Sequence, residues 1–286
     1  VTFGIDTVLN AFRTDRRSVK AKAVITGAGS GIGRSFALEL VRRGGNVLCA
    51  DIDADRAAET VALIEQLPTG TGHAVQCDVS DRAAVEQLAR HALEVFGGAP
   101  TLVINNAGVG IGGKPVGDIG FQDWEWALGI NLWGVVHGCE IFTPILREAG
   151  RGGIINVASA AGFAAAPSMA AYNVSKAGVM SLSETLAAEL DGTDIAVTML
   201  CPTFVKTNVF TDGRITPGSM SLSQQLARWT GLSADSVAVR TLDAHDSGRL
   251  YVVPQFDATV IWHLKRHFPA LYARGAGLLG RVLPKN

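Results

Sequence analysis

The sequence predicts an α/β protein, a doubly wound parallel sheet with helices packed on both faces. Three observations carry this expectation. Short β-branched runs alternate with amphipathic helical stretches from about residue 20 onward. The runs are apolar at successive positions, as strands are when both their faces are covered. Turn signals separate the segments at the spacing of β–α units. At 286 residues, 48% of them hydrophobic and 18% charged, the chain can bury one substantial core.

Taken in order, Lys22–Thr26 reads as a strand, followed by a glycine-rich turn and a helix through Arg43. Asn46–Asp51 is the second strand, and Ala54–Leu67 the second helix, closed by Pro68 and Gly70. His73–Cys77 and Thr101–Ile104 are further strands around a helix at Arg82–Phe96. A long helix over Asp123–Arg147 leads to a strand at Gly153–Val157. A helix from about Ser168 to Leu190 then leads to a strand at Ile195–Leu200. Residues 20–254 form one domain, with an N-terminal extension (1–19) and a C-terminal tail (255–286). Within the domain, 208–230 reads as a substrate lid, broken by Gly213, Pro217 and Gly218, with a short amphipathic helix at Met220–Trp229.

Composition excludes several classes. A net charge of −1 with interspersed signs lacks the basic footprint of a nucleic-acid binder. Cys49, Cys77, Cys139 and Cys201 have no metal-ligand spacing, and the histidines form no zinc pattern, so no metal is expected. Buried free thiols fit a reducing compartment, and charges at Asp6, Arg13 and Asp15–Arg17 interrupt any signal peptide, so a cytoplasmic location is expected. Val1 in place of Met points to a trimmed chain. The charge-free stretch Gly152–Ser175 lacks the Leu/Ile density of a membrane span.

The turn Thr26-Gly27-Ala28-Gly29-Ser30-Gly31-Ile32-Gly33 lies between the first strand and the first helix. Glycines there permit a tight turn, close approach to a pyrophosphate and close helix–strand packing, while the helix N-terminus offers free N–H groups to phosphate. An acid about 20 residues later completes a dinucleotide-binding pattern. That acid is Asp51, with Ile52 beside it; its carboxylate can accept hydrogen bonds from the adenosine ribose and repel a 2′-phosphate, favouring NAD over NADP. Two alternatives stay open: Asp51 as a helix cap, a role Asp53 suits better, and Arg34 reaching a 2′-phosphate.

Further along stand Asn105-Asn106-Ala107-Gly108 after the fourth strand, Asn131-Leu132-Trp133-Gly134 in the long helix, Ser159 past a strand end, and Tyr172 four residues before Lys176. With the glycine turn, these motifs resemble the short-chain dehydrogenase/reductase family in order and spacing over nearly all of residues 20–254. The resemblance implies a Rossmann-like sheet of about seven strands. It also implies an oxidoreductase that moves a hydride between an alcohol or ketone and NAD(P), and a homodimer or homotetramer joined through the helices around 123–147 and 168–190.

The chemistry can also be argued from the residues. Tyr172 and Lys176 project from one helix face, and a nearby ammonium stabilises tyrosinate, which predicts a phenol pKa drawn down from about 10. Tyr172 is then general base or acid, and Ser159 holds the substrate oxygen. By resemblance, Lys176 and Tyr172 also contact the nicotinamide ribose, and Asn131 holds a water that links Lys176 to solvent. Asp78 either meets the adenine, with Val79 beside it, or caps a turn. Asn105, Ala107 and Gly108 support the sheet and let the cofactor lie close. After the last predicted strand, Pro202, Val205 and Thr207 fit the family's nicotinamide-contacting segment, but Thr203 replaces its glycine, which puts the local backbone in question.

Phe163, Phe204, Val209, Phe210 and Met220 are candidates for the substrate wall, pointing to a hydrophobic or cyclic substrate such as a steroid, terpenoid or aromatic alcohol. The tail, with Trp262, Leu264, Phe268, Leu271 and Tyr272 among Lys265, Arg266, Arg274 and Arg281, suits packing over the active-site mouth or on a partner subunit, with a membrane surface as the alternative. A reductase running on NADPH and a non-catalytic dinucleotide sensor are the competing readings of the whole.

Overall fold

The computed structural model describes residues 16–205, 213–221 and 231–282. Its main sheet has seven strands in the order β3-β2-β1-β4-β6-β7-β9, all parallel. These are β1 (Lys22–Thr26), β2 (Asn46–Asp51), β3 (Thr71–Gln76), β4 (Leu102–Asn105), β6 (Arg151–Val157), β7 (Asp194–Leu200) and β9 (Tyr251–Val252). A separate pair, β5 (Ile111–Gly112) and β8 (Arg214–Ile215), is also parallel.

Successive residues of the central strands feed two different cores, because strand side chains alternate between faces. Val24, Leu48, Val103 and Ile154 pack with Leu88 of α3 (Arg82–Phe96), Phe142 of α5 (Gly134–Ala149) and Val179 of α7 (Ala170–Glu189). Ile25, Val47, Ile104 and Ile155 pack with Phe36 and Leu40 of α1 (Gly31–Arg42) and Leu242 of α8 (Ala234–Asp246). Both faces are dry, which explains the unbroken apolar runs. The exception is β3: it lies at the sheet edge, is largely exposed, and so carries Thr71, His73 and Gln76.

The long helix expected over 123–147 is interrupted. It consists of α4 (Phe121–Leu128), a π-helical turn at Gly129–Trp133, and α5. The helix expected from Ser168 begins at Ala170 as α7, since Ser168 is left-handed with φ 60°. Ahead of it lies a single helical turn, α6 (Ala161–Ala164). Between β2 and β3 runs α2 (Ala54–Ile64). The chain ends in a helical hairpin, α9 (Phe256–His267) and α10 (Pro269–Val282). No described helix is long and apolar enough to cross a membrane. Thr207, Val209 and Phe210, most of the expected lid, and the expected helix beyond residue 221 lie outside the described residues.

Candidate active site

A cleft of about 500 Å³ opens at the carboxyl ends of β1, β2, β3, β4, β6 and β7, and its lining comes from the residues that follow each strand. Open α/β sheets bind ligands at this edge. Gly27, Ser30, Gly31 and Ile32 line the cleft where β1 turns into α1. Gly27 has φ +64°, and a β-carbon there would lie 2.8 Å from Ala107 Cα; one at Gly33 would strike the Gly27 carbonyl oxygen. Neither position can carry a side chain, so the backbone there can be approached closely. Ser30 makes no side-chain capping bond to α1, so its hydroxyl is not spent on its own helix.

Asp51 lines the cleft at the end of β2, accepting hydrogen bonds from Gly29 N (2.8 Å) and Asp53 N (3.1 Å). The capping role belongs to Asp53, which accepts from Asp55 N (3.0 Å) and Arg56 N (3.1 Å). Arg34 is engaged behind the turn: its guanidinium donates to Gly29 O, to Glu59 (3.0 Å) and to Thr60 Oγ1 (3.0 Å). Ile52 and Val79 border the same end. Asp78 caps the turn, its Oδ1 accepting from Ser80 N (2.9 Å) and Ser80 Oγ (2.7 Å), and it also lines the cleft.

Asn105 supports the sheet and does not itself line the cleft. It is buried beneath the cleft, donating from Nδ2 to Asn156 Oδ1 (2.8 Å), while Asn156 donates to Ser183 Oγ (3.0 Å). Gly138 of α5 lacks a side chain where Asn105 Oδ1 sits. The cleft asparagine is Asn106, whose Nδ2 donates to Thr26 O (2.9 Å) and Gly27 O (3.1 Å), tying the glycine turn to the loop after β4. Strand parity carries the signal: Asn105 shares a face with Val103, which packs in the core beside α5, and Asn106 does not. Ala107 and Gly108 line the cleft.

Ser159, Tyr172 and Lys176 meet at the other end of the cleft. Ser159 Oγ lies 3.3 Å from Pro202 O and accepts from Ala161 N (3.2 Å). Lys176 Nζ donates to Val157 O (2.9 Å) and sits 5.9 Å from the centre of the Tyr172 ring. Asn131 is buried in the π-helical turn, accepting from Val109 N (2.8 Å) and donating to Val109 O (2.9 Å). It does not line the cleft, but a β-carbon on Gly108 would lie 3.0 Å from Asn131 Oδ1 and 3.3 Å from Lys176 Nζ, so the two side chains flank one glycine. Single π-turns inside α-helices recur at functional sites.

The electrostatics differ from the sequence expectation. Burial raises the Tyr172 phenol pKa rather than lowering it, with a Ser159 hydrogen bond pulling the other way. Burial likewise brings Lys176 down to about 8. The ammonium faces the Val157 carbonyl and the flank of the ring, so tyrosinate gains little from it in this geometry.

The substrate wall also needs correction. Phe163 packs edge-on against Trp262 at 4.9 Å, and Phe163, Phe204 and Met220 are not among the described residues that line the cleft. The apolar side chains that line it include Val109, Trp126 and Ile130. Trp126, missed in the sequence, is covered on its far side by the Arg214 guanidinium at 4.2 Å, and Arg214 pairs with Asp123 at 2.8 Å. Pro202, Thr203 and Val205 line the cleft. Thr203 is not left-handed; its N–H donates to Gln255 Oε1 (3.2 Å) and its hydroxyl to Asp257 (3.3 Å). Among the described residues no group of three His, Cys, Asp or Glu side chains is placed to hold a metal, and the four cysteines are buried free thiols.

Comparison with known proteins agrees with this geometry. The signature of the family described as short chain dehydrogenase matches residues 21–216. The chain belongs to that family. A crystal structure of a family member from Burkholderia phymatum in complex with NAD is 36% identical and superposes with a TM-score of 0.81 over 90% of this chain and 96% of that one. The C alpha-dehydrogenase of a Sphingobium species is 30% identical over 87% of this chain and 84% of its own length. The Mycobacterium tuberculosis protein named "Probable oxidoreductase EphD" is 40% identical over 68% of this chain, which spans only 33% of that protein.

Proposed function

We propose that the chain is an NAD(H)-dependent oxidoreductase that interconverts a secondary alcohol and a ketone, with Tyr172 as general acid/base. One observation carries the reading: a single cleft holds the glycine-rich turn and Asp51 at one end, and Ser159, Tyr172 and Lys176 at the other. The residues fit a dinucleotide, since the N-terminus of α1 suits a pyrophosphate and Asp51 a ribose diol. When bound, the nicotinamide supplies or accepts the hydride.

The chain's own residues account for the remaining work. The Tyr172 hydroxyl, protonated because burial raises its pKa, gives its proton to a ketone oxygen as charge develops there. Ser159 donates to the same oxygen and stabilises that charge. In the alcohol direction, Tyr172 takes the proton, and Lys176 stabilises the phenolate more strongly once its ammonium turns from Val157 toward the ring edge. NAD is preferred because Asp51 faces the cleft and Arg34 is held behind the turn by Gly29, Glu59 and Thr60. Val109, Trp126 and Ile130 give the substrate end an apolar, partly aromatic wall, which suits a hydrophobic or cyclic substrate. Exposed Phe121 on α4 and Val174 on α7, with Trp133 in the π-turn, support a homo-oligomer joined through these helices.

The test is Tyr172→Phe, assayed by NADH absorbance on a panel of secondary alcohols and ketones. Turnover should fall by roughly 10²–10⁴-fold with NADH affinity unchanged. A variant that turns over at the wild-type rate would refute the assignment.

A further inference from the structure

The hairpin α9–α10 has one face engaged and one bare. On the engaged side, Trp262 packs against Phe163 at 4.9 Å, and the Tyr272 hydroxyl donates to Ala164 O at 2.7 Å. On the bare side, Phe256 is 84% exposed, Phe268 59%, Leu271 64% and Leu278 60%. In α10 the bare face reads Leu271, Arg274, Leu278, Arg281, positions that share one side of a helix. Apolar side chains there alternate with guanidinium groups, and each long arginine stem can keep its charge at a polar boundary while the leucines sit deeper.

Charge selects the occupant. No Asp or Glu follows Asp257 in the chain, whereas Lys265, Arg266, Arg274, Arg281 and Lys285 do. A second copy docking through this face by two-fold symmetry would set Arg274 and Arg281 against their own counterparts with no acid on the face to offset them. A surface that is apolar below and anionic above satisfies both residue types. We infer that the outer face of α9–α10 docks the protein on an anionic lipid bilayer, with its phenylalanines and leucines at the acyl boundary and its arginines among the phosphates. Because Gln255 and Asp257 at the start of this hairpin hold Thr203 on the cleft rim, docking brings the cleft near the lipid surface.

The experiment is co-sedimentation of the full chain with vesicles of phosphatidylcholine alone, or mixed equally with phosphatidylglycerol. It needs no substrate, so it stands or falls independently of the proposed activity. Binding should be confined to the phosphatidylglycerol vesicles and weaken with salt. The surface variant R274Q/R281Q should lower the partition coefficient roughly thirtyfold. L271S/L278S should lower it by at least tenfold. NADH affinity should be unchanged in both, which certifies their fold. No binding to anionic vesicles, equal binding to both kinds, or binding indifferent to both variants would overturn the proposal. So would light scattering that shows a dimer in the wild type and a monomer in L271S/L278S, since a second copy then covers the face.

Discussion

His245 should make the protein acid-sensitive in a way that one substitution removes. The imidazole is fully buried on α8, and Nδ1 lies 2.9 Å from Thr198 Oγ1. Thr198 spends its only hydroxyl proton on Arg249 O at 2.8 Å, so it must accept from His245 Nδ1–H. Nε2 is then the unprotonated nitrogen, buried against Gly153, where even a β-carbon would not fit, and without a partner among the described residues. Protonation would place a charged donor in that dry gap. Burial first, and the Arg17 guanidinium second, bring the pKa down to about 3. The unfolded chain protonates this histidine near pH 6.5, so its neutral form contributes full stability above that pH, and the contribution is lost as pH falls toward 3. Between about pH 8 and about pH 5 the loss is roughly 2 kcal/mol, or a Tm decrease on the order of 5 °C for a domain of this size. Carboxylates also titrate there, so the measurement is a difference: urea unfolding of wild type and His245→Gln across that range. The stability advantage of the wild type should shrink by about 2 kcal/mol on acidification. A pH-independent difference would mean that water or a rearranged acceptor reaches Nε2, and the burial argument would fail.

Two further outcomes concern the cleft. Asp51→Ala should narrow the kcat/KM preference for NAD over NADP by at least tenfold, since it removes about 1.5–3 kcal/mol of charged hydrogen bonding to a ribose diol as well as the repulsion of a 2′-phosphate; steady-state kinetics with both cofactors checks this. Lys176, held at about 8, is an ammonium below that pH and an amine above it. Ketone reduction should therefore be flat at lower pH and decline through about 8, and a Lys176→Met variant should lose that inflection in its residual rate.

The strands and the glycine turn were legible because their causes are local. A residue flanked by two dry faces must be apolar, and a turn that excludes β-carbons must be glycine. What escaped depends on neighbours distant in sequence. Asn105 and Asn106 are interchangeable in a motif, yet one is bonded to Asn156 under the sheet and the other to Thr26 and Gly27 in the cleft. Phe163 has the character of a pocket wall but is claimed by Trp262, from the far end of the chain. The Tyr172–Lys176 spacing predicts a shared face, not which way the ammonium turns, and here it turns to Val157 O. The π-turn that carries Asn131 leaves no mark in hydrophobic periodicity, since one extra residue per turn barely disturbs it.

Thr203, the departure from the family pattern, is explained by the tail, and the explanation can be tested. Gln255 is buried and brackets the segment after β7, accepting from Thr203 N at 3.2 Å and donating to Phe204 O at 3.1 Å. The hydroxyl that a glycine would lack reaches Asp257 at 3.3 Å. Three bonds thus fix a loop that borders the cleft beside Ser159, two from Gln255, the N-cap of α9, and one from Asp257 in its first turn. Gln255→Ala removes two neutral hydrogen bonds, the one accepted from Thr203 N and the one donated to Phe204 O, a loss of about 2 kcal/mol. The expected result is a Tm lower by roughly 5 °C, together with a raised KM for NADH. Gln255→Glu separates the two bonds: a carboxylate still accepts from Thr203 but faces the Phe204 carbonyl with like partial charge, so it should recover only part of the loss. If Gln255→Ala kept both Tm and KM, the loop would be held by its own backbone, and Thr203 would be left without a structural reason.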